Sequence, residues 1–402
     1  MGNVTVSLGT VATIVDDVED RRLTKQALTP TGDPWLLTPG PLTTSPEVKQ
    51  AMVHDYGSRD HHFIDVNRRM RERLVEIVHG TDDYTCVPLQ GSGTFVVEAM
   101  IGTFVPRDGK LLILVNGAYG DRIAKICDYL GRSKSVLKTA ENVPVNPGDL
   151  DRELKADADI SHVAVVHCET TTGILNPLEE VAEVTAANGR GLLIDAMSAF
   201  GAIPLDARAI PFDAVVASSN KCLEATPGVG FCIARKAKLE ETAGNAASLV
   251  LDLHDQWQAM EKNGQWRFTP PVHTILSFDK ALDEFEAEGG VAARGARYGE
   301  NCRTLVDGMT RLGFKPLLPS DLQAPIIITF LMPKDPAFDF QTFYDCLRVR
   351  GYVIYPGKLT VAETFRIGCI GRLGRREIEG ALEAVKETLE EMGVRDCAPL
   401  AA

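Results

Sequence analysis

The chain has 402 residues, 45% of them hydrophobic and 24% charged, with a formal net charge of −13 at pH 7. That is enough apolar material for one large core, or for a large and a smaller domain, and it is neither a disordered nor a fibrous composition. The acidic balance excludes an extended nucleic-acid or anionic-membrane surface, which needs basic patches, and no run approaches the roughly 18 consecutive apolar residues of a membrane span.

Residues 1–34, ending in the polar, turn-forming VEDRRLTKQALTPTGDP, read as an arm or partly ordered extension. They lack the basic-then-apolar signature of a secretory leader, so a cytoplasmic protein is expected. The 9 cysteines form no CxxC and no Cys/His cluster, and several lie inside apolar runs; buried core thiols in a reducing compartment are the expectation. Phe63, Val66, Met70, Leu74, Ile77 and Val78 then recur at helical spacing. Short β-branched runs follow at TCVPLQ (85–90), KLLILVN (110–116), HVAVVHC (162–168), RGLLIDAM (190–197) and FDAVVASS (212–219). Helical segments separate most of them, such as PLEEVAEVTAANG, with Pro177 near its start and Gly189 at its end. Strands apolar on both faces and alternating with helices predict an α/β fold: a large domain, 35–288, built on a mainly parallel sheet between helices. After about residue 289 the rhythm changes to a helix at 291–312, strands IIITF and TFRIGCIG, and helices near 339–350 and 375–393. This predicts a smaller C-terminal α+β domain, 289–402.

In open α/β sheets ligands bind at the carboxyl ends of the strands, and those ends carry a consistent set of residues. LQGSGTFVVEAM places Gly91, Ser92, Gly93 and Thr94 where a strand gives way to a helix, a cradle for phosphate. It is not a Walker loop, for no Gly-Lys follows, nor a dinucleotide fingerprint, because Val96 stands where the third glycine belongs. VNGAYGDR places Tyr119 at the next end, where a ring could cover a flat ligand. HCETTTG supplies Glu169, Thr170, Thr171 and Thr172, donors to a ring oxygen or ordinary turn hydroxyls. GLLIDAM closes an apolar strand with Asp195, a carboxylate that there needs a cationic partner or several hydrogen bonds. Lys221 follows DAVVASS, after Ser218 and Ser219. Pyridoxal 5'-phosphate accounts for all of them: a phosphate for the helix N-terminus, a flat ring for an aromatic face, a ring nitrogen for an aspartate, and an aldehyde for a lysine. A partly desolvated lysine has a lowered pKa and becomes a nucleophile able to form a Schiff base.

The residues WLLTPGPLTTSPEVKQAM (35–52), GSGTFVVEAM, NGAYGDR, CETTTGILNPL, LIDAMSAFGAIPLD, SSNKCLEATPGVGF and TFRIGCIG together resemble the class V, fold-type I pyridoxal-phosphate aminotransferases, and within them the 2-aminoethylphosphonate–pyruvate transaminase branch. LLTPGPLTTS and SSNKCLE followed by PGVGF are the segments most specific to that branch. The resemblance implies Lys221 as the Schiff-base lysine, Asp195 on the pyridinium nitrogen, Tyr119 stacked on the ring and Thr170 near the phenolic oxygen. It implies Ser92, Gly93, Thr94 and Ser218 on the phosphate, joined by Thr269 of WRFTPPVHT from the second subunit of a homodimer. Arg366 of ETFRIGCIG sits in an apolar strand, where a guanidinium fork suits a carboxylate or phosphonate; the resemblance makes it the substrate-anion arginine, with the backbone of Gly40 helping to close the site. Neighbouring readings are an alanine– or serine–glyoxylate transaminase, and a lyase of the cysteine desulfurase type. The second needs a nucleophilic cysteine on a mobile polar loop, which Cys369 in its apolar strand does not offer.

Overall fold

The computed structural model describes residues 26–357 and 362–399; most of the expected N-terminal arm, residues 1–25, lies outside the described residues. A seven-stranded sheet forms the centre, in the order Tyr84–Gln90, Val229–Arg235, Ala214–Ser218, Gly191–Asp195, Ile160–Val166, Lys110–Val115, Ser133–Lys138. Every neighbouring pair is parallel except the two made by Val229–Arg235, which runs antiparallel to both its neighbours. The expected mainly parallel α/β sheet is therefore present. The edge strand Ser133–Lys138 escaped sequence reading because serines and lysines occupy four of its six positions. Val229–Arg235 was legible as an apolar run but not as a strand, and nothing local encodes its direction.

Alternate residues of each strand enter two separate cores, as a two-residue period requires. Leu112, Leu114, Val163, Val165, Leu192, Ile194, Val215, Phe231 and Ile233 pack against helices His61–Ile77, Leu178–Ala187 and Val272–Glu288. Leu111, Ile113, Val115, Ala164, Leu193, Ala214, Val216 and Cys232 pack against Gly93–Phe104, Ala118–Leu130 and Leu253–Asn263. With both faces covered, the loops at the sheet's two ends are where polar chemistry can reach solvent. All nine cysteines are free and buried, as expected. Among the described residues no helix is long and apolar enough to cross a membrane.

Helix Gly290–Arg311 leads into a second unit: an antiparallel sheet of Ile327–Leu331, Thr364–Gly368 and Tyr355–Pro356, covered by helices Phe340–Val349 and Arg375–Met392. Its core is a phenylalanine cluster centred on Phe365, whose ring lies 5.5 Å from Phe314, 5.6 Å from Phe343 and 5.7 Å from Phe330. The early chain joins this unit too. Trp35–Leu36 pairs in parallel with Tyr352–Val353, and Leu37 enters the phenylalanine core. Thr38 to Thr44 therefore crosses from one core to the other and carries Gly40 between them. Replacing Phe365 by Ala removes the ring all the others meet, and should cost about 3–5 kcal/mol, read as a lower unfolding midpoint in urea.

Candidate active site

Because the strands flanking the antiparallel one point the same way, the residues after Gln90, Val115, Val166, Asp195 and Ser218 emerge at one edge of the sheet. There they enclose a cavity of about 220 Å³ lined by Gly40, Ser92, Gly93, Thr94, Tyr119, Arg122, Asp195, Ser218 and Lys221, among others. A larger groove of about 560 Å³ lies at the opposite edge, beside Ser161, His162, Gly191 and Asp213. Burial there pushes the His162 imidazole down to about 4, and none of the candidate site residues lines it.

One wall of the cavity is the start of helix Gly93–Phe104. Gly91, at φ +135°, makes the sharp turn out of the strand that only glycine takes without strain. Ser92 N-caps the helix in an extended conformation without giving its hydroxyl to it. A helix N-terminus with an uncommitted hydroxyl is an anion site by charge and by hydrogen-bonding capacity.

Asp195 ends its strand with only 4% of its surface exposed, and its Oδ1 accepts the Met197 N–H at 2.9 Å. Burial raises its pKa to about 6, against the pull of that hydrogen bond and of the Arg122 and Lys221 charges. The Met197 N–H first, and the Arg122 and Lys221 charges after it, favour the ionised form against that burial. Lys221 lies across the cavity wall, its Nζ donating to the Pro39 carbonyl at 2.6 Å. The approach needs a glycine: a Cβ on Gly40, at φ +116°, would stand 2.6 Å from Lys221 Nζ and 2.7 Å from its Cδ.

Tyr119 opens helix Ala118–Leu130, and the helix explains a residue that sequence reading missed. Arg122, one turn on, lies with its guanidinium carbon 4.8 Å from the centre of the Tyr119 ring and donates to Thr94 Oγ1 at 3.3 Å. The i,i+3 spacing in NGAYGDR was the available signal. The start of this helix is held by the HCETTTG loop. Buried Glu169 accepts from Tyr119 N at 3.2 Å, Thr171 N at 3.0 Å and Thr171 Oγ1 at 2.6 Å, while Thr171 Oγ1 also accepts from Ala118 N at 3.0 Å. Burial raises the Glu169 carboxyl and these donors pull it down. Thr171 is thus committed to the helix start, a turn role, and not to a ligand.

The structure brings Gly40, Ser92, Gly93, Thr94, Tyr119, Asp195, Ser218 and Lys221 around one cavity. Thr170 and Arg366 do not line it but hold each other: the Thr170 carbonyl accepts from Arg366 Nη1 at 2.9 Å, and the Pro356 carbonyl accepts from Arg366 Nε at 3.0 Å. Arg366 is only 1% exposed, and burial lowers its pKa from the usual guanidinium value. Thr269 is exposed and does not line the cavity. Ser218 Oγ donates to Asn220 Oδ1 at 3.0 Å. Cys369 is fully buried and its thiol is held well above its ordinary pKa by that burial, the opposite of a reactive thiolate.

Residues 46–346 match the model of the aminotransferase class-V family. The chain belongs to that family. This aminotransferase is 56% identical over 364 residues, 90% of its length and 99% of the relative's, to a 2-aminoethylphosphonate–pyruvate transaminase of Pseudomonas fluorescens Pf-5. It is 55% identical over 92% of its length, and 98% of the relative's, to 2-aminoethylphosphonate–pyruvate transaminase 2 of Burkholderia lata. Among solved structures, pyridoxamine-pyruvate aminotransferase of Mesorhizobium loti superposes with a TM-score of 0.83 at 24% identity, over 91% of this chain and 95% of that one. The fold of the aminotransferase is thus the fold-type I architecture expected from its sequence.

The Gly40 contact gives a test. Gly40→Ala adds about 1–2 kcal/mol of backbone strain and drives a methyl group into Lys221. The urea unfolding midpoint of Gly40→Ala should fall accordingly; an unchanged midpoint would show that the loop yields.

Proposed function

We infer that this aminotransferase moves the amino group of 2-aminoethylphosphonate to pyruvate, with pyridoxal phosphate as cofactor, giving phosphonoacetaldehyde and L-alanine. The observation that carries the chemistry is one cavity holding a lysine amine, a buried ionised carboxylate and a helix N-terminus. The donor and acceptor follow from the relatives of that name, which match about nine-tenths of the chain at 55–56% identity.

The residues fit the cofactor. Ser92, Gly93, Thr94 and Ser218 offer hydroxyls and helix N–H groups for a phosphate, and Arg122 adds a positive charge at Thr94. Tyr119 offers a ring face, Asp195 a carboxylate for a protonated ring nitrogen, and Thr170, whose carbonyl Arg366 holds, a hydroxyl. Pyridoxal phosphate supplies an aldehyde that exchanges amino groups and a ring that draws electrons from the carbon losing its proton. Lys221 Nζ, once free, would take the proton from the amine-bearing carbon and return it on the other side of the nitrogen. The Asp195 carboxylate would stabilise a protonated ring nitrogen and so keep the ring an electron sink. Arg366 binds the phosphonate in the first half-reaction and the carboxylate of pyruvate in the second, a planar fork suited to both.

The working form in this reading is a homodimer. Phe95, beside the phosphate cradle, and Leu249, Val250 and Phe268 are exposed apolar side chains on a soluble enzyme. Thr269 follows Phe268 directly, so a second subunit covering these side chains would bring Thr269 to its neighbour's phosphate.

Two measurements test the proposal. Adding 2-aminoethylphosphonate to the holoenzyme should abolish the visible band of the lysine-bound cofactor, and pyruvate should restore it with one equivalent of L-alanine. Lys221→Ala should do neither, whereas a band that ignored the phosphonate but fell with L-serine or L-alanine would move the donor to glyoxylate-type transamination. The second concerns pH. Asp195 binds its proton more tightly in the folded protein than in the unfolded chain, so the carboxylate is available above about pH 6 and lost below it. Cofactor affinity of the apoprotein should weaken as the pH falls through about 6. In Asp195→Asn the affinity should be low throughout and this fall shallower, since only the phosphate of the ligand then titrates in that range.

A further inference from the structure

The turn that carries Lys221 and the strand that carries Arg366 lie in different halves of the molecule, yet one buried group of charges grips both. Glu224, just past Lys221, adopts a left-handed conformation at φ +56° and is 3% exposed, a backbone state a glutamate keeps only when its surroundings impose it. Its Oε1 accepts from the Tyr298 hydroxyl at 2.5 Å and from Arg297 Nη2 at 2.7 Å. Arg294, with no exposed surface, donates from Nη1 to the Cys222 carbonyl at 2.5 Å. The same helix reaches the other way. Arg297 Nη1 donates to the carbonyls of Gly371 at 2.6 Å and Leu373 at 2.9 Å, and the Tyr298 hydroxyl accepts the Gly371 N–H at 3.2 Å. Gly371 to Leu373 follow the Arg366 strand, and Arg372 N donates to the Thr43 carbonyl at 2.8 Å, which ties in the loop that carries Gly40.

A buried ion network of this kind is not what stability demands, since well-packed apolar side chains of the same volume serve as well or better. What it supplies is geometry: planar guanidinium forks and a hydroxyl that donates one way and accepts the other admit one arrangement of three backbone segments. We propose that Glu224, Arg297 and Tyr298 are positioning residues that fix the separation between Lys221 Nζ and the Arg366 guanidinium, and so select substrates by the distance between amine and anion. The proposal rests on the reading of Lys221 as the reacting amine and Arg366 as the anion site.

The test compares aminomethyl-, 2-aminoethyl- and 3-aminopropylphosphonate as donors to pyruvate, using wild-type, Glu224→Gln and Tyr298→Phe holoenzymes. The cofactor band and the unfolding midpoint are followed alongside. Tyr298→Phe removes one oxygen and keeps the ring, so it guards against loss of folding in Glu224→Gln. Wild type should prefer the two-carbon donor in kcat/KM, and in each variant that preference should shrink roughly tenfold or more, as expected for an ångström-scale misplacement, mostly through KM and with the cofactor band in place. Variants that lose stability or overall rate but keep the wild-type ratio between donors would overturn the proposal and leave the junction a structural one. A wild type that holds its cofactor band yet turns over none of the three donors would instead overturn the substrate reading, and the proposal with it.

Discussion

The direction of the strands in the central sheet is the constraint on which the rest depends. Parallel neighbours require helical crossovers, the crossovers bury both faces, and the strand ends are left as the place where polar side chains meet solvent. Tyr84–Gln90 is separated from its parallel companions by the antiparallel Val229–Arg235 and still points with them. Its carboxyl end therefore delivers Ser92 to Thr94 to the same edge as Asp195 and Lys221. Reversing that one strand would carry the helix N-terminus to the far side of the sheet.

The site is also an electrostatic exception to the chain. A protein of net charge −13 sets Lys221 and Arg122 around one small cavity and buries Arg366 against the Thr170 carbonyl. Two buried carboxylates answer them, Asp195 in the cavity and Glu169 behind it, and the two differ in what satisfies them. Glu169 takes its hydrogen bonds from backbone and hydroxyl donors at a helix start, which fixes Tyr119 and Arg122 in place. Asp195 takes one backbone N–H and depends on neighbouring cations for the rest. Burial makes both carboxylates costly to ionise, and a cationic ligand facing Asp195 relieves that cost.

The two halves of the molecule meet through backbone carbonyls held by charged side chains. Arg366 binds the Thr170 carbonyl and Arg294 that of Cys222, while Arg297 in the same unit fixes the carbonyls of Gly371 and Leu373 behind the Arg366 strand. Such bonds are directional, so the lysine-bearing turn, the arginine-bearing strand and the Gly40 loop take a common geometry that no apolar packing would specify as tightly.

Much of this was legible in the residues themselves. Apolar runs of strand length bounded by turns marked the strands from 85–90 to 212–219, and the residues after them marked the cavity, because period and turn chemistry are local properties of a chain. Lys221 and Asp195 stood out for the same reason: a charge at the end of an apolar run has to be accounted for wherever it lies. What only the tertiary structure decided is relational. Arg122 joins the site because its helix starts at a bond to Glu169, distant in sequence; Thr171 leaves it because that same carboxylate claims its hydroxyl. Arg366 meets Thr170 across nearly two hundred residues of sequence, and Glu224, in a turn, meets Arg297 and Tyr298 of a distant helix. Hydrogen bonds over such separations depend on where the chain returns, and a sequence read for period and local turns carries no record of that.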